Sequence, residues 1–313
     1  MRAFRSGIAI YLIFTSVAAA QCEGHRHADQ VAAPPQAPSA RLEYALGQPK
    51  SVDVDDAGTI RQVSYVKAGS HAIFEGDIII GDANQIEFAA AMGPVKLQRR
   101  AAAGPGDLTP FGYVARSVLS GAQKWTNNVI PYTIDPNLNS GDVILRSMQA
   151  WSSLTKLRFV ERTAANSAQY PNFVYFTIGS DPRACLSEGI GMSSGRQNVE
   201  LVSGCEYGQI VHEIGHVIGL HHEQNRADRD SYVHVETANI IQGYSGQFAP
   251  RPAEYKDIGA YDFDSIMHYE PGAFSCNGQP TIVPNRSLPP GVQMGQRNHI
   301  SAEDADVVNS IYK

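Results

Sequence analysis

Four cysteines in 313 residues are too few for a disulfide-dense scaffold. Neither sign of charge dominates: the net charge is −6 at pH 7, so the chain lacks the basic footprint that a nucleic-acid partner requires. No Gly-X-Y period accompanies the 28 glycines and 18 prolines, which excludes a collagen-like rod and leaves a loop-rich body. With 43% hydrophobic and 18% charged residues, wholesale disorder is excluded too. There is no internal repeat, and past residue 20 no apolar run is long enough to span a bilayer. What is present, and unevenly placed, is histidine. Four of the ten lie between His212 and His222.

The N-terminus reads as Arg2 and Arg5, an apolar stretch over 8–17, then Ala18-Ala19-Ala20. This order predicts a secretory signal peptide cut after Ala20, and hence an exported, extracellular protein. Residues 25–41 are rich in Ala and Pro and read as a linker. Strand-like pieces follow at 62–66 and 77–80, then a loose stretch over 93–106 that includes Arg99-Arg100. A denser segment starts near Trp125. Residues 129–134 and 173–178 read as strands, Pro131 pointing to an edge position in the first. Asp142 is expected to cap a helix that buries Ile144, Met148 and Trp151 on one face. A third strand over 197–202 carries polar Gln197 and Asn198 and is expected to offer backbone groups to an extended peptide. Residues 210–220 have helical period and stop at Gly219, and Ser301-Ala302-Glu303-Asp304 opens a final helix.

The segment His212-Glu213-Ile214-Gly215-His216 is H-E-x-x-H on a predicted helix. Residues four apart leave the same helical face one turn apart, so both imidazoles can reach one Zn2+ ion. Glu213, one position round, stands beside the metal rather than on it, where it can take a proton from a water. Gly219 can adopt the positive φ that ends a helix and turns the chain. The turn brings His222 back as a third ligand.

With these residues the segment from His212 to His222 resembles the zinc motif of the metzincins, and its surroundings resemble the astacin family in particular. Glu223 follows the third histidine directly, then Arg226-Ala227-Asp228-Arg229-Asp230, and Ser265-Ile266-Met267-His268-Tyr269 is similar to the astacin Met-turn. Leu220 stands where the family usually has Phe. The resemblance covers about 117–313. It implies an α+β fold: an N-terminal subdomain with a twisted mixed sheet and two long helices, an irregular C-terminal subdomain, and an active-site cleft between them. It further implies a zinc endopeptidase with one Zn2+ held by His212, His216 and His222. In that pattern Glu213 is the base, Met267 an apolar floor, and Tyr269 a fifth, mobile ligand that turns to stabilise the transition state. Cys185 and Cys205 match a family disulfide; a second family disulfide has no cysteines here. Cys22 and Cys276 are left over. A bridge between them is open, although Cys22 lies in a segment that activation should remove.

Upstream, Phe74-Glu75-Gly76-Asp77 matches the F-x-G-D element of astacin zymogens, in which the Asp carboxylate occupies the zinc in place of water. The expected organisation is therefore a signal peptide over 1–20, a propeptide over 21–116 ending between 100 and 116, and a catalytic domain over 117–313. Arg116-Ser117 and the Arg99-Arg100 region are the alternative cut sites for an activating protease. In the family, Glu223 receives the new N-terminal ammonium. The expected product is a secreted monomer acting on protein or peptide substrates. Two rivals are a zinc-stabilised binding protein without catalysis and another metzincin branch. The presence of Glu213 and Tyr269 argues against the first, and Glu223 with the Met-turn argues against the second.

Overall fold

The computed structural model describes Cys22 and residues 44–56, 58–96, 123–250 and 256–313. The expected signal peptide, the linker over 25–41 and both candidate cut sites lie outside them. Among the described residues the fold is α+β, organised on one mixed sheet of ten strands. Its upstream half holds β1 (Gln48–Asp56), β2 (Thr59–Ala68), β3 (His71–Phe74), β4 (Ile78–Asp82) and β5 (Val95–Lys96), with helix α1 (Ala83–Ala90) between the last two. The downstream half holds β6 (Val129–Ile134), β7 (Arg158–Glu161), β8 (Phe173–Ile178), β9 (Leu186–Glu188) and β10 (Arg196–Leu201). The order is β5-β1-β2-β3-β4-β9-β10-β8-β6-β7. The two halves meet at a single seam, where β4 runs parallel to β9 with Ile78 opposite Ser187 and Ile79 opposite Glu188.

Two long helices cover the downstream half. In α2 (Gly141–Leu154), Ile144, Met148 and Trp151 form the expected buried stripe. The Trp151 indole donates to the Val211 carbonyl at 3.0 Å and so fixes α2 against α3 (Tyr207–Ile218). Trp125 also ties to α3, donating to the Val217 carbonyl at 2.7 Å. Every residue of α3 from Gly208 to Ile218 is buried. A helix covered on all sides belongs to a core, which makes its histidines and glutamate conspicuous. Beyond α3 the chain is irregular, with a small ribbon of β11 (Val233–Val235) and β12 (Ile282–Pro284), until α4 (Ala302–Ile311). The Cys185–Cys205 disulfide forms as expected, and Cys22 is bonded to Cys276.

Three local expectations are corrected. The 197–202 strand is not an edge: β10 lies between β9 and β8, and the downstream half is bounded by β7 on one side and, at the seam with β4, by the three-residue β9. Pro131 is not on an edge strand either. β6 pairs with both β7 and β8, but its ladder with β8 begins only at Tyr132, one residue past the proline that lacks an N–H. Asp142 does not cap α2; Ser140 holds that position and Asp142 sits in the first turn, where its charge still suits the helix dipole.

A second link crosses the seam further along. The His71 ring, on β3, lies 3.2 Å from the Glu200 carboxylate on β10 and 2.9 Å from the Ser180 hydroxyl. The hydrogen bond to Glu200 raises the His71 pKa above 6.5 despite burial. Burial works against the Glu200 carboxylate, but His71 and Ser180 outweigh it and lower its pKa. A histidine whose pKa is higher in the folded state stabilises fully below 6.5, and this contribution is lost as pH climbs through the raised value. Melting temperatures recorded from about pH 6 to 9 should therefore fall more steeply for the wild type than for His71→Gln. Parallel curves would refute the link.

Candidate active site

The central donors come from three places. His212 and His216 project from successive turns of α3, and His222 arrives after the chain reverses at Gly219, whose φ of +123° is open to glycine but strained for other residues. The amides of Gly219 and Leu220 close this reversal on the carbonyl of Gly215 at 3.1 and 2.9 Å. The fourth donor, Asp77, comes from the turn between β3 and β4. Its Oδ2 lies 3.2 Å from His212 Nε2 and 3.1 Å from His222 Nε2, while Oδ1 lies 3.5 Å from His216 Nε2. His212 Nε2 and His222 Nε2 are themselves 3.2 Å apart. All four residues are buried, and their ligand atoms lie within 4.8 Å of one another.

This arrangement fits a metal ion. Four donors at tetrahedral corners about 2.0–2.1 Å from Zn2+ would stand roughly 3.3 Å from each other. Each histidine is also oriented through its other nitrogen: His212 Nδ1 on the Ile266 carbonyl at 2.8 Å, His216 Nδ1 on the Leu220 carbonyl at 2.9 Å, and His222 Nδ1 on the Glu75 carboxylate at 3.2 Å. With Nδ1 protonated, every Nε2 presents a lone pair to the centre, the usual outer-shell arrangement for metal-bound histidine. His216 Nε2 and Asp77 Oδ1 are buried without a hydrogen-bond partner, as metal donors would be. The charges agree. Burial lowers the His212 pKa to about 3, helped by the Arg297 charge, which keeps the imidazole neutral. Burial opposes the charged form of Asp77, but the neighbouring histidines hold its pKa well below the usual carboxylate range. Burial opposes the charged form of His222, but Asp77 and Glu75 raise its pKa to about 9, so the buried carboxylate draws positive charge to this centre, which a cation would also supply.

The turn that delivers Asp77 is tightly held. Glu75 has φ of +47° and Gly76 φ of +84°, and the left-handed Glu75 costs about 1–2 kcal/mol. A side chain at residue 76 would meet the Tyr269 hydroxyl at 2.8 Å and the rings of Phe274 and Tyr44 at 3.0 Å, so the close approach requires glycine. The Tyr269 hydroxyl donates a short hydrogen bond to the Glu75 carbonyl. Burial raises its pKa well above 10, so it stays a donor. Its ring lies 4.7 Å from that of His222. Glu213 is buried one residue from His212, outside the four-donor set.

Met267 packs against α3 at Gly215. A Cβ added at Gly215 would fall 2.5 Å from the Met267 sulfur. Gly215→Ala should therefore cost about 1–3 kcal/mol and weaken metal retention by displacing the 265–269 turn. Thermal melts with and without a chelator measure both. Three residues not expected at the site hold that turn. Asp304 accepts from Ser265 Oγ at 2.6 Å and from the Ile266 amide at 2.9 Å. Arg297 donates to the carbonyls of Ile266 and His268 at 2.9 and 3.1 Å. Gln224 accepts from the Tyr269 amide at 2.9 Å. Asp304 was visible as a helix cap; nothing local marked the other two.

Behind the centre lies a cavity of about 100 Å³ lined by Glu223, Arg226, Asp257, Asp262, Asp304 and Met267 among others. Burial pushes the Glu223 carboxyl up to about 8, against Arg226 and the Asp262 amide. Glu223 Oε1 accepts from that amide at 2.8 Å.

Comparison with known proteins agrees with this geometry. Residues 118–313 match the peptidase family described as Astacin. Blastula protease 10 of Paracentrotus lividus is 38% identical over 205 residues, which are 63% of this chain and 34% of that protein. Zinc metalloproteinase nas-15 of Caenorhabditis elegans is 40% identical over 195 residues, 61% of this chain and 32% of that one. Among solved structures, high choriolytic enzyme 1, a hatching enzyme zinc-protease from the medaka fish Oryzias latipes, superposes with a TM-score of 0.52 at 33% identity, covering 63% of this chain and 95% of that one. The chain spans about a third of the length of these two curated relatives. With the family match extending over well more than half its length, the chain belongs to the astacin family of peptidases.

Proposed function

We propose that this chain is the zymogen of a secreted zinc endopeptidase, organised as signal peptide (1–20), propeptide (21–116, ending between 100 and 116) and catalytic domain (117–313). The observation that carries the reading is the convergence of Asp77 with His212, His216 and His222 in one buried cluster. Three imidazoles and one carboxylate at this spacing suit Zn2+. When bound there, Zn2+ would lower the pKa of a coordinated water to about 7 and polarise a scissile carbonyl.

The residues of the chain have distinct tasks. His212, His216 and His222 hold the ion, their orientation fixed by Ile266, Leu220 and Glu75. Glu213 takes the proton of the attacking water and passes it to the leaving amine. Tyr269 stabilises the oxyanion, and its alternate task is the fifth ligand position. In support, its hydroxyl already donates to a peptide carbonyl, that of Glu75, as it would to a substrate. Met267 is the apolar floor. Asp77 is the latency device, filling the position a water needs. Glu223, at the acidic cavity, is the acceptor for the ammonium of a newly cut N-terminus, a cation that would relieve its raised pKa. The activating protease cuts near Arg116-Ser117 or Arg99-Arg100, and the product acts as a monomer on proteins and peptides. The two disulfides are in keeping with an exported protein.

Degradation of casein by the activated protein tests the reading. Activity should disappear on zinc chelation and return with added Zn2+. Cleavage that persists after complete zinc removal would overturn it.

A further inference from the structure

We infer that cutting this chain between residues 96 and 123 does not free the propeptide, because a disulfide keeps it on the enzyme as a second chain. The inference rests on the zymogen reading above and adds how latency ends. Cys22 and Cys276 are bonded across 254 residues of sequence. One lies in the propeptide and the other in the C-terminal subdomain, so no cut between 96 and 123 separates the two sides. The attachment point is part of the inhibitory face. Cys22 bridges to Ile241, and the neighbouring Ile240 bridges to Ser275. Ile241 N–H also donates to the Phe274 carbonyl at 3.0 Å. The Phe274 ring in turn lies 4.9 Å from that of Tyr44 and against Gly76. The bond therefore anchors the propeptide two residues from a side chain that holds the plug in the cleft.

A noncovalent inhibitor is lost on dilution. A tethered one competes at an effective concentration on the order of mM whatever the enzyme concentration. Cut but unreduced enzyme stays latent. Release requires a dithiol reductant: one of its thiolates attacks a sulfur of the Cys22–Cys276 bond, forming a mixed disulfide. Its second thiol then displaces the remaining protein thiol. Cys22 and Cys276 leave as thiols and the reductant as its own disulfide.

The test uses the full chain, without its signal peptide, carrying a recognition sequence for a site-specific protease inserted after Gly104. After cutting, wild-type protein should run as one species without reductant and as two with it. Its peptidase activity should stay at least tenfold below that of cut Cys22→Ser/Cys276→Ser and should not recover over a 100-fold dilution. Separation of the fragments without reductant would overturn the inference, as would equal activity of the two cut proteins. So would finding that the naturally activated enzyme carries a further cut between Cys22 and Tyr44, which leaves only a stub on the bond. The gel requires neither the variant's folding nor any activity. Inactivity of every form alongside a retained propeptide would sink the peptidase reading and leave the tether standing.

Discussion

Glu213→Gln is expected to lower the kcat of the activated protein by about 10⁴-fold, the upper end of what a positioned base contributes, with zinc still bound one to one. The replacement keeps the size of a side chain that is 2% exposed, so the helix has no packing reason to move. It removes the proton acceptor beside the centre and leaves the four-donor set intact, since Glu213 is not among those donors. The loss should fall on kcat rather than KM, because proton transfer belongs to the transition state. Steady-state kinetics on a quenched peptide, with metal content measured on the same sample, decide the matter. Undiminished turnover would remove Glu213 from the mechanism, and loss of the metal would reassign it to structure.

Asp77→Ala should produce the opposite effect in the uncut chain, a rise in basal activity. Asp77 is a buried charge paired with three buried histidines, and breaking such a pair typically costs 3–5 kcal/mol. At 1.4 kcal/mol per decade, the fraction of molecules with an open cleft should grow by about 10²- to 4 × 10³-fold. The β4–β9 pairing remains, so the uncut variant stays below the released enzyme. Initial rates on a small peptide measure the change, with Asp77→Ala/Glu213→Gln as the control for contaminating protease. An uncut Asp77→Ala protein no more active than wild type, at equal zinc content, would sink the latency role.

What could be read in advance was chemistry written in short range. His212 and His216 share a helical face by spacing alone, Gly219 announced the reversal that returns His222, and Ser301 with Asp304 announced the start of α4. The misreadings all concern partners distant in the chain or choices made by the backbone. Whether 197–202 is an edge depends on β9, and three residues are too few to leave a hydrophobic period. Asp142 and Ser140 compete for a cap two positions apart, a choice made by backbone geometry rather than residue type. Glu75 occupies the variable position of F-x-G-D, so nothing marked it as the partner of His222. Arg297 reaches Ile266 and His268 across about 30 residues. The Cys22–Cys276 pairing was open in sequence because only the folded C-terminal subdomain brings the two together.

In the activation proposed above, β4 leaves its partner β9, and the brevity of β9 then has a consequence. An unpaired sheet edge invites another chain to add to it, and long flat edges seed aggregation. Leu186 to Glu188 expose too short a row of amides and carbonyls to template a second copy of the protein. The same shortness rations backbone pairing for an incoming polypeptide. Under the proposed function, selectivity among substrates must then come from side-chain contacts rather than from the sheet edge.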